Sequence, residues 1–282
     1  MRKYSYVSLI NTDSYLKGVL CLNESLKAVN SIYQLSVLIT NDISEKSIQA
    51  LKAFNINIIK MDNRIDVPGW IKERNVKLKM EHWNNSFDKL LMFELTMFEK
   101  IVFIDSDMYV IENIDNLFDK PNMSGVILGK SFDSDYYKEW TRTQFSSGLL
   151  VVEPKINSID GLNKVFENIK KSDGAIGDQQ VLWNYFYDWS SKKELHLSER
   201  YTVCFEHIDY YLKKLNYNMY NSNSYNNIAA IHFATPKPWL LDKKIRLKYL
   251  IYNLLNGEFK KFKLLNEYFR VLNNIERTID KL

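Results

Sequence analysis

Residues 100–110, KIVFIDSDMYV, end a run of core-type side chains in two carboxylates one residue apart, Asp105 and Asp107. Ile101, Val102, Phe103 and Ile104 form an apolar run bounded by polar residues, so 100–104 reads as a short buried strand. A chain that buries such a strand and then presents Asp-Ser-Asp sets two hard oxygen ligands at the carboxyl edge of a sheet. Open α/β sheets bind their ligands at that edge. Adjacent carboxylates repel each other, which a divalent cation between them relieves; such a cation can also hold a diphosphate. The alternative is a solvated turn, because Asp and Ser are ordinary turn residues.

The chain has 282 residues, enough for one large domain or two small ones. With 46% hydrophobic and 14% aromatic residues, a disordered chain is excluded for most of the length. No run approaches the roughly 18 apolar residues of a membrane span. The start, MRKYSYVSLINTDSY, lacks the apolar centre and cleavage site of a secretory signal. Cys21 and Cys204 sit in apolar surroundings without metal-ligand spacing, as reduced thiols of a cytoplasmic protein would. Residues 243–282 hold 10 Lys+Arg against 4 Asp+Glu, +6, so the rest of the chain carries −2 of the +4 total. Positive charge therefore belongs to the tail, and a nucleic-acid partner is not expected.

Along the chain, 4–10 alternates and is rich in β-formers, and 35–40 and 56–60 are further strand candidates. Helices are expected over 15–29, over 44–54 with Ser44 as cap, and over 87–98. This alternation of strand and helix argues for an α/β fold with a mixed, mainly parallel central sheet flanked by helices. Residues 63–79 are polar, contain Pro68 and Gly69, and read as a loop or lid. A helical turn is expected at 111–118, strands at 126–128, 148–152 and 228–233, and helices at 159–170 and 178–187. Residues 216–227 are a low-complexity polar loop. The last forty residues are helical: Leu247, Leu250, Ile251, Leu254 and Leu255 form an i, i+3, i+4, i+7, i+8 stripe. Gly257 separates that helix from a second over 258–281.

Four segments stand at ends of expected strands: LINTDSY (9–15), FIDSDMYV (103–110), SSGLLVVEP (146–154) with GDQQVLWN (177–184), and IHFATPKPW (231–239). In order and chemistry they resemble the glycogenin-like members of glycosyltransferase family 8, over roughly residues 3–240. The stretch from Asp105 to Asp119 is the most specific part. The resemblance implies a GT-A fold for 1–240 with a C-terminal helical extension, 241–282, packing on the domain or on a partner subunit. It also implies a retaining, Mn²⁺-dependent transfer of a hexose, glucose first, from a UDP-sugar.

The same resemblance assigns residues. Asp105, Asp107 and His232 would hold Mn²⁺, an imidazole suiting this borderline metal. Leu9, Asn11, Thr12 and Tyr15 would receive the uridine, with Tyr15 stacking on the base. Lys89, Ser106, Ser146, Ser147, Asp178, Gln179, Thr235 and Lys237 complete the donor site. Lys237 would neutralise departing UDP, and Asp178 or Gln179 would stand near the anomeric carbon. A lone His after a strand and a helical Lys also have ordinary structural readings. Ala175 replaces a sugar-contacting Asp of the family, with Asp173 two residues earlier, and Thr235 replaces a Gly. These departures leave open the identity of the sugar.

The acceptor is a glycan, a lipid-linked saccharide or a protein. Self-glucosylation is a further option, although the acceptor tyrosine's position reads Asp209; Tyr210, Tyr217, Tyr220 and Tyr225 lie nearby. A nucleotide-sugar binding protein that has lost catalysis is the non-enzymatic alternative. The basic and apolar tail could lie on an anionic membrane; packing on the domain or on a second copy, as a homodimer, is the expectation taken here.

Overall fold

The structure is a computed structural model and describes residues 3–62, 64–127, 144–156, 161, 164, 166, 169, 174–221 and 226–282. Strand β1 (Tyr4–Ile10) is buried along most of its length and lies between β2 (Leu35–Ile39) and β4 (Lys100–Ile104), parallel to both. Strand β3 (Asn57–Lys60) continues the parallel set beyond β2. Helices α1 (Leu16–Ala28) and α2 (Glu45–Ala53) make the crossovers; Ser44 caps α2 by accepting a hydrogen bond from the Ser47 amide.

The sheet then changes direction. Strand β7 (Phe145–Val152) runs antiparallel to β4, with Leu149 opposite Ile104, and β6 (Gly125–Ile127) and β8 (His196–Leu197) complete the order β3-β2-β1-β4-β7-β6-β8. Four of the six pairings are parallel, as expected. The antiparallel step brings the start of β7 beside the end of β4, and the Asp105 amide donates to the Gly148 carbonyl at 2.9 Å.

A second sheet begins immediately after Asp107. Strand β5 (Met108–Val110) pairs antiparallel with β10 (Ala230–His232), which runs parallel to β9 (Val203–Cys204). The register sets His232 opposite Met108, so the Asp-Ser-Asp turn joins two sheets and carries the imidazole with it. The β5 segment is too short for alternation to reveal; its pairing partner is more than a hundred residues away.

Several local readings differ from the structure. Residues 63–79 contain a helix, α3 (Gly69–Lys77), and the expected α-helix over 87–98 is a longer run of 3₁₀ turns, Glu81–Glu94. The helical turn after β5 is a 3₁₀ turn, Asp115–Asp119. Helix α4 (Asp178–Tyr185) starts where expected and stops two residues early. A short helix α5 (Ile208–Lys213) covers the stretch around Asp209. The expected helix over 159–170 falls largely outside the described residues, as do Leu128, Asp173 and Tyr225.

The tail forms α6 (Lys243–Leu255) and α7 (Phe259–Ile279). Helix α7 buries Leu264, Leu265, Tyr268, Phe269, Leu272 and Ile275 in the same cluster as α1 and the second sheet. Helix α6 does the reverse. Its buried residues are Arg246 and Asn253; of the expected stripe only Leu250, with Tyr249 beside it, packs on the core, whereas Leu247, Ile251, Leu254 and Leu255 are exposed. Arg246 explains the orientation: its guanidinium donates to Glu276 Oε1 at 2.8 Å and Oε2 at 3.1 Å, and its Nε to the Leu241 carbonyl at 2.8 Å. A five-donor guanidinium needs an inward partner set that leucine does not.

Candidate active site

The four sequence segments meet at the carboxyl edge of β1 and β4. One ligand atom each from Asp105, Asp107 and His232 lies within 4.8 Å of the others. His232 Nε2 stands 3.1 Å from Asp107 Oδ1. Lys237 pairs with the other oxygen of Asp107. On the opposite side, buried Lys89 bridges two acids, reaching Asp105 Oδ1 at 2.8 Å and Asp178 Oδ2 at 3.0 Å. It also donates to the carbonyl and hydroxyl of Ser147 at 3.3 and 3.2 Å.

The two acids respond in opposite directions. Burial, opposed by Lys89 but assisted by the neighbouring carboxylates, raises Asp105 above the ordinary carboxylate range. Burial also opposes the charge of Asp107, yet His232 and Lys237 hold its carboxyl well below that range. For His232 and Lys89, burial disfavours the cation and the acids more than compensate, so both are raised. Three acids, Asp105, Asp107 and Asp178, thus face an imidazole and two lysines.

This donor set fits a divalent ion. Two carboxylates and an imidazole are the oxygen and nitrogen ligands that Mn²⁺-type ions accept. Asp107 Oδ1 is buried and receives no hydrogen bond, despite the nearby imidazole. Gly148 keeps the space clear: a Cβ there would meet Asp105 Oδ2 at 3.1 Å and His232 Cε1 at 3.4 Å.

The remaining expected residues surround this centre. Leu9 is partly buried against the core, and Asn11 is fixed by donating to the Asn85 carbonyl (2.6 Å) and Asp88 Oδ2 (3.2 Å). The Thr12 hydroxyl pairs with Ser14 at 2.7 Å. The half-buried Tyr15 ring lies 5.8 Å from that of Trp239, with Lys237 Nζ 5.8 Å from its centroid. The Ser106 carbonyl lies against Gly18, where a Cβ would approach it to 2.7 Å. Ser146 accepts from the Gly148 amide at 3.3 Å. Gln179 Oε1 accepts from the Ser147 amide at 3.0 Å, which directs its NH₂ away from that bond. Thr235 is exposed on the loop between His232 and Lys237.

Residues that pattern reading missed hold the segment leading to Asp178 in place. Asn75 on α3 is fully buried; it accepts from the Ile176 amide at 2.9 Å and donates to the Ile176 carbonyl at 2.8 Å. Its amide also donates to Asn84 at 2.8 Å. Arg74 donates to the Gly174 carbonyl at 2.7 Å, and Ser86 Oγ accepts from the Asp178 amide at 3.0 Å. Backbone groups on both sides of Ala175 are therefore tied to α3 and to the 3₁₀ segment that carries Lys89. Ile71 and Asn75, four apart, are the residues that α3 buries, and because one of them is polar the spacing does not register as apolar periodicity. Arg64 was also missed; it clamps Asp88 at 2.6 Å and Asp42 at 2.8 Å beside Asn11.

Comparison with known proteins agrees with this geometry. The family model described as "Glycosyl transferase family 8" matches residues 6–243. Rabbit (Oryctolagus cuniculus) glycogenin-1 is 28% identical over 241 residues, 85% of this chain and 66% of that protein. A putative UDP-glucuronate:xylan alpha-glucuronosyltransferase 4 of Arabidopsis thaliana is 26% identical over 239 residues, 84% of this chain and 37% of that protein. The chain thus spans two thirds or less of the length of these curated relatives. Among solved structures, galactosyltransferase LgtC in complex with donor and acceptor sugar analogs superposes with a TM-score of 0.63 at 15% identity, covering 95% of each chain. With a family model spanning most of its length and the GT-A fold beneath the site, this chain is a member of glycosyl transferase family 8 and an enzyme.

Proposed function

We propose that this protein transfers a hexose, glucose in the first instance, from a UDP-sugar to a hydroxyl acceptor with retention of configuration, using Mn²⁺. The single observation that supports this most is the convergence of Asp105, Asp107 and His232, from distant parts of the chain, beside Lys237 and Lys89. When bound by those three side chains, the ion supplies positive charge against the donor's diphosphate. Asn11, Thr12 and Tyr15 receive the uridine, with Leu9 backing them from β1. Lys237 exchanges its carboxylate partner for the diphosphate and offsets the charge of departing UDP. Lys89, Ser146, Ser147, Asp178 and Gln179 face the transferred sugar.

Transfer breaks the bond between the anomeric carbon and the phosphate oxygen and forms a bond to the acceptor oxygen on the same face. The acceptor proton passes to the departing phosphate oxygen. Asp178, buried and paired with Lys89, orients the sugar and stabilises its developing positive charge; the Gln179 amide offers N–H donors to the same side.

An external acceptor is the reading that Asp209, Tyr217 and Tyr220 support; Tyr225 lies outside the described residues. Asp209, at the self-acceptor position, pairs with Lys261 at 2.7 Å and Lys213 at 3.6 Å. Tyr217 donates its hydroxyl to Glu199 at 2.9 Å, and Tyr220 lies beneath Lys263. Free Cys21 and Cys204 fit a cytoplasmic setting. The test is a screen of UDP-sugars for Mn²⁺-dependent UDP release, with mass spectrometry of the protein afterwards. UDP-glucuronate belongs in the screen, because Ala175 removes an acid that would repel a sugar carboxylate. UDP release with one donor and no hexose on the chain supports the reading; no release with any donor and metal contradicts it.

A further inference from the structure

Helix α6 exposes what a helix ordinarily buries. Leu247, Ile251, Leu254 and Leu255 form one outward stripe; Tyr252 and, past Gly257, Phe259 are exposed as well, and these six are 46–80% exposed. Single exposed apolar residues are unremarkable, but a contiguous run marks a surface that something covers. Lys243, Lys244 and Lys248 are exposed on the same outward side, in the N-terminal half of the helix, and α6 itself contains no acidic residue. The only cation of α6 turned inward is Arg246, spent on Glu276. Leucines and lysines sharing one outward face suit a helix lying in the headgroup region of an anionic bilayer, its long lysine side chains reaching phosphates while the leucines enter the acyl boundary.

We infer that α6 docks the enzyme on an anionic lipid surface. Charge complementarity favours lipid over a second copy of the chain. The tail carries +6, so pairing two tails brings like charges together, whereas anionic lipid neutralises them. No helix among the described residues is long and apolar enough to cross a membrane, so the contact is peripheral. The helix is linked to the site by hydrogen bonds: Arg246 Nη2 reaches the Trp239 carbonyl at 3.5 Å, and Trp239 Nε1 donates to the Ser14 carbonyl at 2.8 Å. This inference stands whether or not the donor is a UDP-sugar.

The test is co-sedimentation of the full chain with vesicles of phosphatidylcholine alone or with about one third phosphatidylglycerol, at low and high salt. The variants are Leu247→Ser/Ile251→Ser/Leu255→Ser and Lys243→Ser/Lys244→Ser/Lys248→Ser, which alter only exposed residues. The expected result is binding to the anionic vesicles alone, weakened by salt, and reduced by about fivefold per lysine removed. The leucine variant should lose binding at least tenfold with an unchanged melting temperature. Absence of binding to anionic vesicles overturns the inference, as does equal binding to neutral ones or unaltered binding of both variants. A dimer in analytical ultracentrifugation that the leucine variant abolishes, without vesicle binding, assigns the face to a second copy instead.

Discussion

Replacing Asn75 with Ala isolates the role of the α3 clasp on the segment leading to Asp178. The substitution deletes three hydrogen bonds of 2.8–2.9 Å, two of them to the amide and carbonyl of Ile176. Each buried backbone group left unpaired costs about 1–3 kcal/mol, and a water entering the vacated volume recovers part of that. A net local cost of about 3 kcal/mol follows, equivalent to roughly a hundredfold faster opening of this segment. Asp178 lies two residues on, and misplacement by about 1 Å costs on the order of 10²-fold in rate. Hydrogen exchange at the Ile176 amide should therefore rise by about two orders of magnitude, with kcat falling 10- to 100-fold. The residues proposed for the diphosphate, Asp107, His232 and Lys237, are not held by Asn75, so affinity for UDP with Mn²⁺ should stay within about twofold. The parallel variant Ser86→Ala loses the 3.0 Å bond from the Asp178 amide and the 2.9 Å bond to the Trp83 carbonyl; with a single backbone amide of the segment left unpaired, it should show about a tenth of the exchange effect. Unchanged exchange at Ile176 would refute the clasp. So would an equal loss of UDP affinity and turnover, since that signature belongs to general unfolding.

Two further outcomes are expected. Gly148→Ala should weaken Mn²⁺ binding at least tenfold with little change in melting temperature, because its Cβ would stand 3.1 Å from Asp105 Oδ2; calorimetric titration of the metal checks this. Glu276, hydrogen-bonded to Arg246 and Lys17, has its carboxyl lowered from 4.5 to about 2. A depressed acid stabilises the fold above its unfolded pKa and loses that contribution as pH falls through the folded value, here from about 4.5 down to about 2. The full shift corresponds to about 3.4 kcal/mol, which solvent screening of this partly exposed pair lowers to about 2–3 kcal/mol, so Glu276→Gln should melt earlier at pH 7 and converge on the parent protein near pH 2, as thermal scans would show.

What the sequence disclosed depended on range. The β4 run and its carboxylates were legible because burial and chemistry coincide within eight residues. The convergence of His232 was legible only through resemblance, since its neighbour across the sheet, Met108, lies 124 positions earlier and no local pattern connects them. Helix α3 was obscured by Pro68, Gly69 and a polar composition; a buried polar Asn75 does the work that an apolar residue would have advertised. The 3₁₀ character of 81–94 was hidden because helical periodicity does not distinguish α from 3₁₀ turns in a segment this polar at its start. Helix α6 misled most: its stripe was real, but Arg246, paired with Glu276, rolls the helix so that only Leu250 of that stripe packs on the core.

The most direct measurement is anomalous diffraction at the manganese edge from crystals grown with Mn²⁺ and UDP. A single strong peak is expected within about 2.0–2.3 Å of carboxylate oxygens of Asp105 and Asp107 and of His232 Nε2, with diphosphate oxygens completing the shell. UDP bound without that peak, or a peak elsewhere on the molecule, would contradict the assignment of these three side chains to the metal.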